Sequence, residues 1–246
     1  MKLVLLGGTR GMGRAVGRAF AEKGADIFLL GIGAEDLARS AADFEQRGGG
    51  SRVVAFAECD MEDPSGFTAA LDAADAALGG FDTVVVTAGL FATQEVLEED
   101  LSFTQRMLYV NFAHTVLFCE HVRRRLLNRG GGTLCVFSSV AGDRGRKPVI
   151  LYGASKAGLS AYLEGLDHKF RAQNLRTICI KPGFVKTGMT EGLKAPPFAG
   201  DPDGVARAVV RAIEKGTPVR YVPAIWALIL LVIRYLPRFV MRKINF

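Results

Sequence analysis

Seven short runs of apolar, β-branched residues recur along the chain, and a helix-length stretch separates each from the next. The runs fall at 2–6, 26–30, 52–57, 83–87, 133–138, 176–180 and 219–222, with helices expected at 12–23, 35–47, 65–78, 101–128, 152–173 and 202–215. Segments such as VVVTA and LCVFS are almost wholly apolar, which suits parallel strands covered on both faces. Strict alternation of strand and helix is the pattern of a doubly wound sheet. The chain is therefore expected to form a single-domain α/β Rossmann-type, doubly wound parallel seven-stranded sheet over residues 1–222, followed by a C-terminal apolar, basic tail over 223–246. Its 246 residues suit one large core, and no repeat or low-complexity linker marks a second domain.

Two clusters carry chemistry. Gly7-Gly8-Thr9-Arg10-Gly11-Met12-Gly13 follows the first run and opens the first helix. Glycine lets backbone amides approach a pyrophosphate, and the helix N-terminus supplies partial positive charge. The plainer alternative is a tight strand-to-helix turn without a ligand. Farther along, Tyr152 and Lys156 stand one helical turn apart, so their side chains leave the same helix face. A phenol has a reference pKa of about 10, and a fixed ammonium nearby favours its ionised form. The Ser139 hydroxyl, upstream on the facing strand, is placed to hold a carbonyl or alcohol oxygen against that phenol.

The G-x-x-x-G-x-G spacing, with Ser139, Tyr152 and Lys156, resembles the short-chain dehydrogenase/reductase family. The resemblance implies hydride transfer between a nicotinamide and a substrate carbon. Tyr152 would donate a proton in the reductive direction, Lys156 would lower the phenol's pKa and bond the nicotinamide ribose, and Ser139 would orient the oxygen. Asn111 matches the residue that helps hold a water linking Lys156 to solvent. Gly7, Thr9, Arg10, Gly11, Met12 and Gly13 would cradle the cofactor, and Asp60-Met61 would meet its adenine. Ala88-Gly89 follow Thr87 where the family usually has Asn, and Pro182, Gly183, Val185 and Thr187 match the segment that grips the carboxamide. Read individually, Asn111 also fits a helix kink, Asp60 a cap and Pro182-Gly183 a turn. A carboxylate ending the second strand would repel a 2′-phosphate, but Gly31-Ile32-Gly33 stand there, with no acid before Glu35. That absence, with Arg10, favours NADP(H) over NAD(H), although a second basic residue after that strand is missing. No metal site is expected, and the three histidines suit packing or surface positions. The family also implies a homo-oligomer built through helices 101–128 and 152–173.

Charge singles out the C-terminus. Lys+Arg 31 less Asp+Glu 25 leaves +6, and the six cations from Lys215 onward face no acid, so the preceding residues are neutral overall. A basic stripe through the fold, the footprint of nucleic-acid binding, is absent. Four widely spaced cysteines suit reduced core thiols, and strand-like KLVLLGG from residue 2 argues against a signal peptide, so a cytoplasmic protein is expected. The apolar run Ala224 to Ile233 would rise only about 15 Å as a helix, against a hydrocarbon layer of about 30 Å. With Trp226 inside it and Arg234, Arg238 and Arg242 following, the segment reads as an interfacial membrane element. Packing on a subunit partner or covering the active site are the alternatives.

Within the family, this ending is similar to reductases of a polyprenylphosphoryl 2-keto-pentose. That likeness implies a lipid-linked ketone substrate, generated by a flavin-dependent oxidase partner. Arg144, Arg146 and Lys147 would read the lipid phosphate, or else form a solvated basic loop, and residues 189–199 would form a lid over the sugar. Other lipid ketones, such as 3-ketosphinganine or a 3-oxoacyl thioester, remain competing substrates. A non-catalytic, NADP(H)-binding regulatory subunit is opposed by the intact Ser139, Tyr152, Lys156 and Asn111.

Overall fold

The computed structural model describes residues 1–50 and 54–244. Among the described residues are seven strands: β1 (Lys2–Leu6), β2 (Asp26–Gly31), β3 (Val54–Glu58), β4 (Thr83–Val86), β5 (Gly132–Phe137), β6 (Leu175–Pro182) and β7 (Val219–Val222). They pair in parallel throughout, in the order β3-β2-β1-β4-β5-β6-β7. Residues 52–53 of the expected third strand and 245–246 of the tail lie outside the described residues.

Along β1, Leu3 and Leu5 join one core layer while Val4 and Leu6 join the other, as alternate side chains of a strand must. With both faces covered, neither set can be polar, hence the unbroken apolar run. The first layer is built with α1 (Gly11–Glu22), α2 (Ala34–Arg47) and α8 (Pro202–Lys215), the second with α3 (Phe67–Leu78), α6 (Thr115–Asn128) and α7 (Ile150–Phe170). The chain winds outward from β1 to β3 and then returns to start again at β4. That reversal opens a crevice beyond the carboxyl ends of β1 and β4.

Three departures from the expected elements bear on function. A short helix α4 (Gln94–Glu99) precedes α5 (Leu101–Leu108); its six residues are too few and too polar to announce themselves by periodicity. The expected helix 101–128 is interrupted by a π-helical segment, Tyr109–His114, which contains Asn111 and leads into α6. The tail forms α9 (Ile225–Tyr235) and, after the extended Leu236, the short α10 (Arg238–Met241). Trp226, Leu230 and Ile233 of α9 are buried against Val140 and Tyr221, whereas Leu228, Leu231, Val232 and Tyr235 are exposed. Among the described residues, no helix is long and apolar enough to cross a membrane.

Candidate active site

The catalytic candidates meet because β5 and α7 are locked together. Beyond Phe137, the Ser138 hydroxyl donates to the carbonyl of Lys156 at 2.9 Å and meets the Ser160 hydroxyl at 2.7 Å. A Cβ on Gly142 would lie 2.6 Å from the Lys156 carbonyl carbon, so only glycine lets the turn after Ser139 rest directly on α7. Buried Gln94 accepts a hydrogen bond from the Leu151 amide, capping the first turn of α7 just ahead of Tyr152. The Phe91 ring stands edge-on to Tyr152 at 5.1 Å. The outcome is a cavity of about 530 Å³ that Ser139, Tyr152 and Lys156 line together with Met12, Gly183 and Trp226.

Electrostatics inside this cavity differ from the expectation in one respect. The Tyr152 pKa is raised to about 12, because burial opposes the phenolate more than the Ser139 hydroxyl bonded to it favours that form. Burial likewise lowers the Lys156 pKa to about 8. The Lys156 ammonium lies 5.8 Å from the centre of the Tyr152 ring and donates to the Phe137 carbonyl at 3.1 Å. In the chain alone, burial therefore holds Tyr152 in its protonated form. Ser139 accepts from the Ala141 amide at 3.1 Å, which fixes its hydroxyl beside the phenol.

On the cofactor side, a Cβ on Gly7 would lie 2.6 Å from the Ala88 nitrogen and one on Gly13 would lie 2.2 Å from the Gly7 carbonyl oxygen. These two glycines let β1, β4 and α1 converge, and Gly7 also takes a φ of 91°. Thr87 reaches the Leu6 and Gly7 carbonyls at 3.1 and 3.0 Å, tying β4 to the loop with the single donor of a hydroxyl. Arg10 precedes α1 without giving it a side-chain cap. Thr9 lies beside Gly31, and Gly11 faces Thr187. Gly89, Pro182, Val185 and Thr187 border the same cavity as Tyr152.

Other predicted residues fall elsewhere. The Asn111 side chain is buried and bonds both backbone groups of Leu90, at 2.7 and 2.8 Å, so it clamps the chain after β4. Asp60 accepts from the Glu62 amide as a turn former, and the Met61 side chain is packed in the core. Arg10 pairs with Asp36 at 2.6 Å, and Arg39 bonds the same carboxylate from the other side. Those two hydrogen bonds hold the Asp36 pKa below the usual carboxylate range. Arg39 is the second cation near this turn that the sequence did not reveal, because it lies a helical turn inside α2. Glu58, ending β3, accepts from the Gly33 amide at 3.2 Å, so a carboxylate reaches the end of β2 from its neighbour in the sheet.

The basic loop splits. Arg146 borders the cavity that Tyr152 lines, but Arg144 and Lys147 turn to the tail, donating to the Leu236 and Arg242 carbonyls at 2.9 and 2.8 Å. Met189, Leu193, Lys194 and Pro196 from the expected lid also line that cavity. Two features had no sequence signal. Buried Asp143 binds Lys181 at 2.6 Å and accepts from the Tyr221 hydroxyl at 2.6 Å, joining the turn after Ser139 to the strands that carry Pro182 and the tail. Trp226 packs on Gly183, where a Cβ would lie 2.0 Å from the indole nitrogen; the indole N–H is buried with no hydrogen-bond partner. The four cysteines are free and buried.

Residues 2–197 match the short chain dehydrogenase family. An uncharacterized oxidoreductase of Mycobacterium tuberculosis is 32% identical over 243 residues, spanning 98% of this chain and 96% of the relative. A 3-oxoacyl-[acyl-carrier-protein] reductase of Chlamydia muridarum is 30% identical over 190 residues, covering 77% of this chain and 76% of its own length. Among solved structures, a short-chain type dehydrogenase/reductase from Mycobacterium ulcerans superposes with a TM-score of 0.82 at 21% identity, over 89% of this chain and 87% of that one. That last likeness bears on the fold alone.

Proposed function

The chain belongs to the short-chain dehydrogenase family and is an NAD(P)-dependent oxidoreductase; from that premise we propose that it reduces a ketone carried on a membrane lipid, with NADP(H) as cofactor. The observation that carries the reading is the convergence of Ser139, Tyr152 and Lys156 in one cavity whose remaining wall is largely apolar and comes in part from the tail.

The glycine loop suits a dinucleotide. No side chain of Arg10 caps α1, which leaves the first-turn amides of Gly11, Met12 and Gly13 to a diphosphate. When bound, the nicotinamide supplies the hydride. The chain's own part is to hold the ketone oxygen between the Ser139 and Tyr152 hydroxyls and to release the Tyr152 proton to that oxygen as negative charge develops. A phenol held protonated by burial suits the reductive direction. Cationic Lys156 stabilises the phenolate left behind, at the distance already given. Trp226, packed on Gly183, closes the cleft from the side of the tail. Exposed Arg10 and Arg39 support NADP(H), since Glu58 is engaged by the Gly33 amide instead of standing open to a ribose.

For the substrate, the tail supports a lipid at a membrane surface, and the ending's similarity to polyprenylphosphoryl 2-keto-pentose reductases supports a keto-sugar head group. A flavin-dependent oxidase would supply that ketone. The relative named for 3-oxoacyl reduction favours a thioester as the second reading. Tyr109, Phe112 and Leu117, exposed along the π-helical segment and the start of α6, support assembly into a homo-oligomer. NADPH oxidation measured with a polyprenylphosphoryl 2-keto-pentose, 3-ketosphinganine and acetoacetyl thioester tests the reading. Turnover on the keto-sugar lipid is expected; turnover on the thioester alone would overturn it.

A further inference from the structure

The ladder between β5 and β6 reaches the Ser138 amide, which donates to the Ile180 carbonyl at 2.8 Å. One residue later the two chains part. The turn 140–143 leaves the sheet, whereas β6 continues through Lys181 to Pro182, whose ring nitrogen has no hydrogen to donate. Ser139 stands at that fork. Its hydroxyl lies beside Tyr152 on one side and 3.5 Å from the Pro182 carbonyl on the other. Two spacings must therefore be held at once, one to α7 and one to the end of β6.

Close packing holds the first. A Cβ on Gly153 would lie 2.8 Å from the Ala141 carbonyl oxygen, so the turn and α7 meet backbone to backbone here as they do at Gly142. A single carboxylate spans the second. Asp143, which ends the turn, accepts from the Lys181 ammonium at Oδ1 and from the Tyr221 hydroxyl at Oδ2, each at 2.6 Å. Lys181 and Tyr221 are register partners on β6 and β7, so their side chains leave the sheet on the same face and reach Asp143 together. The Asp143 side chain is 2% exposed and that of Lys181 11%, a setting in which parting the two charges is costly. From the far side, the Tyr221 ring packs with Val140 and α9.

The geometry points to Asp143 as a positioning residue for the reduction. Through the turn 140–143 it sets the spacing between the Ser139 hydroxyl and the end of β6, and so places the ketone oxygen relative to Pro182-Gly183 on the same cavity wall. Asp143 does not line that cavity, and its effect reaches the substrate through Ser139. The assignment rests on the catalytic reading of Ser139.

A double-mutant cycle tests it, read as NADPH oxidation on whichever of the three ketones named above the parent chain reduces. Asp143→Asn keeps the shape of the side chain and removes its charge. It is expected to lower kcat by about tenfold to a hundredfold in the parent background, with KM and NADPH affinity changed by less than about threefold. Once Ser139→Ala is present, the same substitution should lower kcat by less than about twofold. Tyr221→Phe, which keeps the ring on α9 and leaves the charge pair intact, should show the same dependence on Ser139 with a smaller fall, about threefold. If Asp143→Asn does not fold, Tyr221→Phe alone decides. Trp226 is the one tryptophan in the sequence, so its emission in the free chain reports the seat of α9, and it is expected to stay unchanged in both variants. Equal falls with and without Ser139, or a fall in a folded variant that comes with shifted Trp226 emission or lost NADPH binding, would overturn the proposal, because each marks a general loosening. So would variants as active as the parent. A parent chain that reduces none of the three ketones, or a Ser139→Ala chain with turnover intact, would instead sink the catalytic reading, and this assignment with it.

Discussion

The turn after β5 and the C-terminal tail border the same cleft and are built on opposite terms. In the first, polar groups are satisfied one by one: Ser138 on the Lys156 carbonyl, Ser139 on the Ala141 amide, Asp143 on Lys181 and Tyr221. In the second, α9 packs through apolar side chains, Arg144 bonds the Leu236 carbonyl at its end, and the buried Trp226 N–H has no partner among the described residues. A buried donor left unpaired costs about 1–3 kcal/mol, and it does so in the cavity that Tyr152 lines. The difference teaches where each kind of specificity resides. The hydrogen-bonded side holds its geometry through contacts of its own, and the tail side leaves a buried donor unsatisfied.

That contrast can be broken at several points. On the hydrogen-bonded side, Lys156→Met should reduce turnover about a thousandfold, measured as NADPH oxidation, while the fold survives by circular dichroism. Removing Asp143 with Asp143→Ala should cost about 3–5 kcal/mol of stability in urea, because it leaves Lys181 buried and uncompensated. If the loss is under 1 kcal/mol, the network is not what holds that turn.

The pH profile sharpens the same side. A lysine with a pKa lowered to about 8 is cationic below that value and neutral above it. Tyr152, raised to about 12, stays protonated across the range. Reductive kcat/KM should therefore be flat below pH 8 and fall about tenfold per pH unit above it. Lys156→Arg should remove that fall. The stability linkage has the complementary sign. Between pH 8 and 10.5 the unfolded lysine binds the proton that the folded one has lost, so this residue's burial penalty shrinks as pH rises through that window.

On the tail side, Trp226→Ala should raise KM for the ketone about fivefold to tenfold with little change in kcat, because the apolar wall it gives the cleft is lost. An equal fall in kcat would place the indole in the reaction itself. The smallest effect is expected at the exposed Arg10, where Arg10→Ala should narrow the preference for NADPH over NADH by about fivefold; an unchanged ratio would remove Arg10 from cofactor choice.

Much of the fold was legible because parallel strands buried on both faces must be apolar throughout, and turns between them use glycine. The meeting of Ser139, Tyr152 and Lys156 in one cavity was legible for a similar reason, since residues four apart share a helix face. What stayed hidden was decided by contacts between distant segments. Nothing local in QEVLEE announces α4, whose Gln94 caps α7, and Arg39 and Glu58 reach the cofactor turn from positions that spacing does not connect to it. The Tyr152 pKa was read with the wrong sign because sequence shows a neighbouring ammonium but not the depth of burial. Arg144 and Lys147 were grouped with Arg146 by adjacency, and the fold divides them between two cavities. The tail's sequence could not choose between covering the active site and facing outward, and α9 has a face for each.

The central claim, that Tyr152 delivers the proton in a nicotinamide-dependent ketone reduction, is tested most directly by Tyr152→Phe. NADPH binding is followed by fluorescence and ketone reduction by NADPH oxidation in the same preparation. The account predicts cofactor affinity within about twofold of the parent and turnover lower by about a thousandfold or more. Turnover within tenfold of the parent, with cofactor still bound, would contradict it.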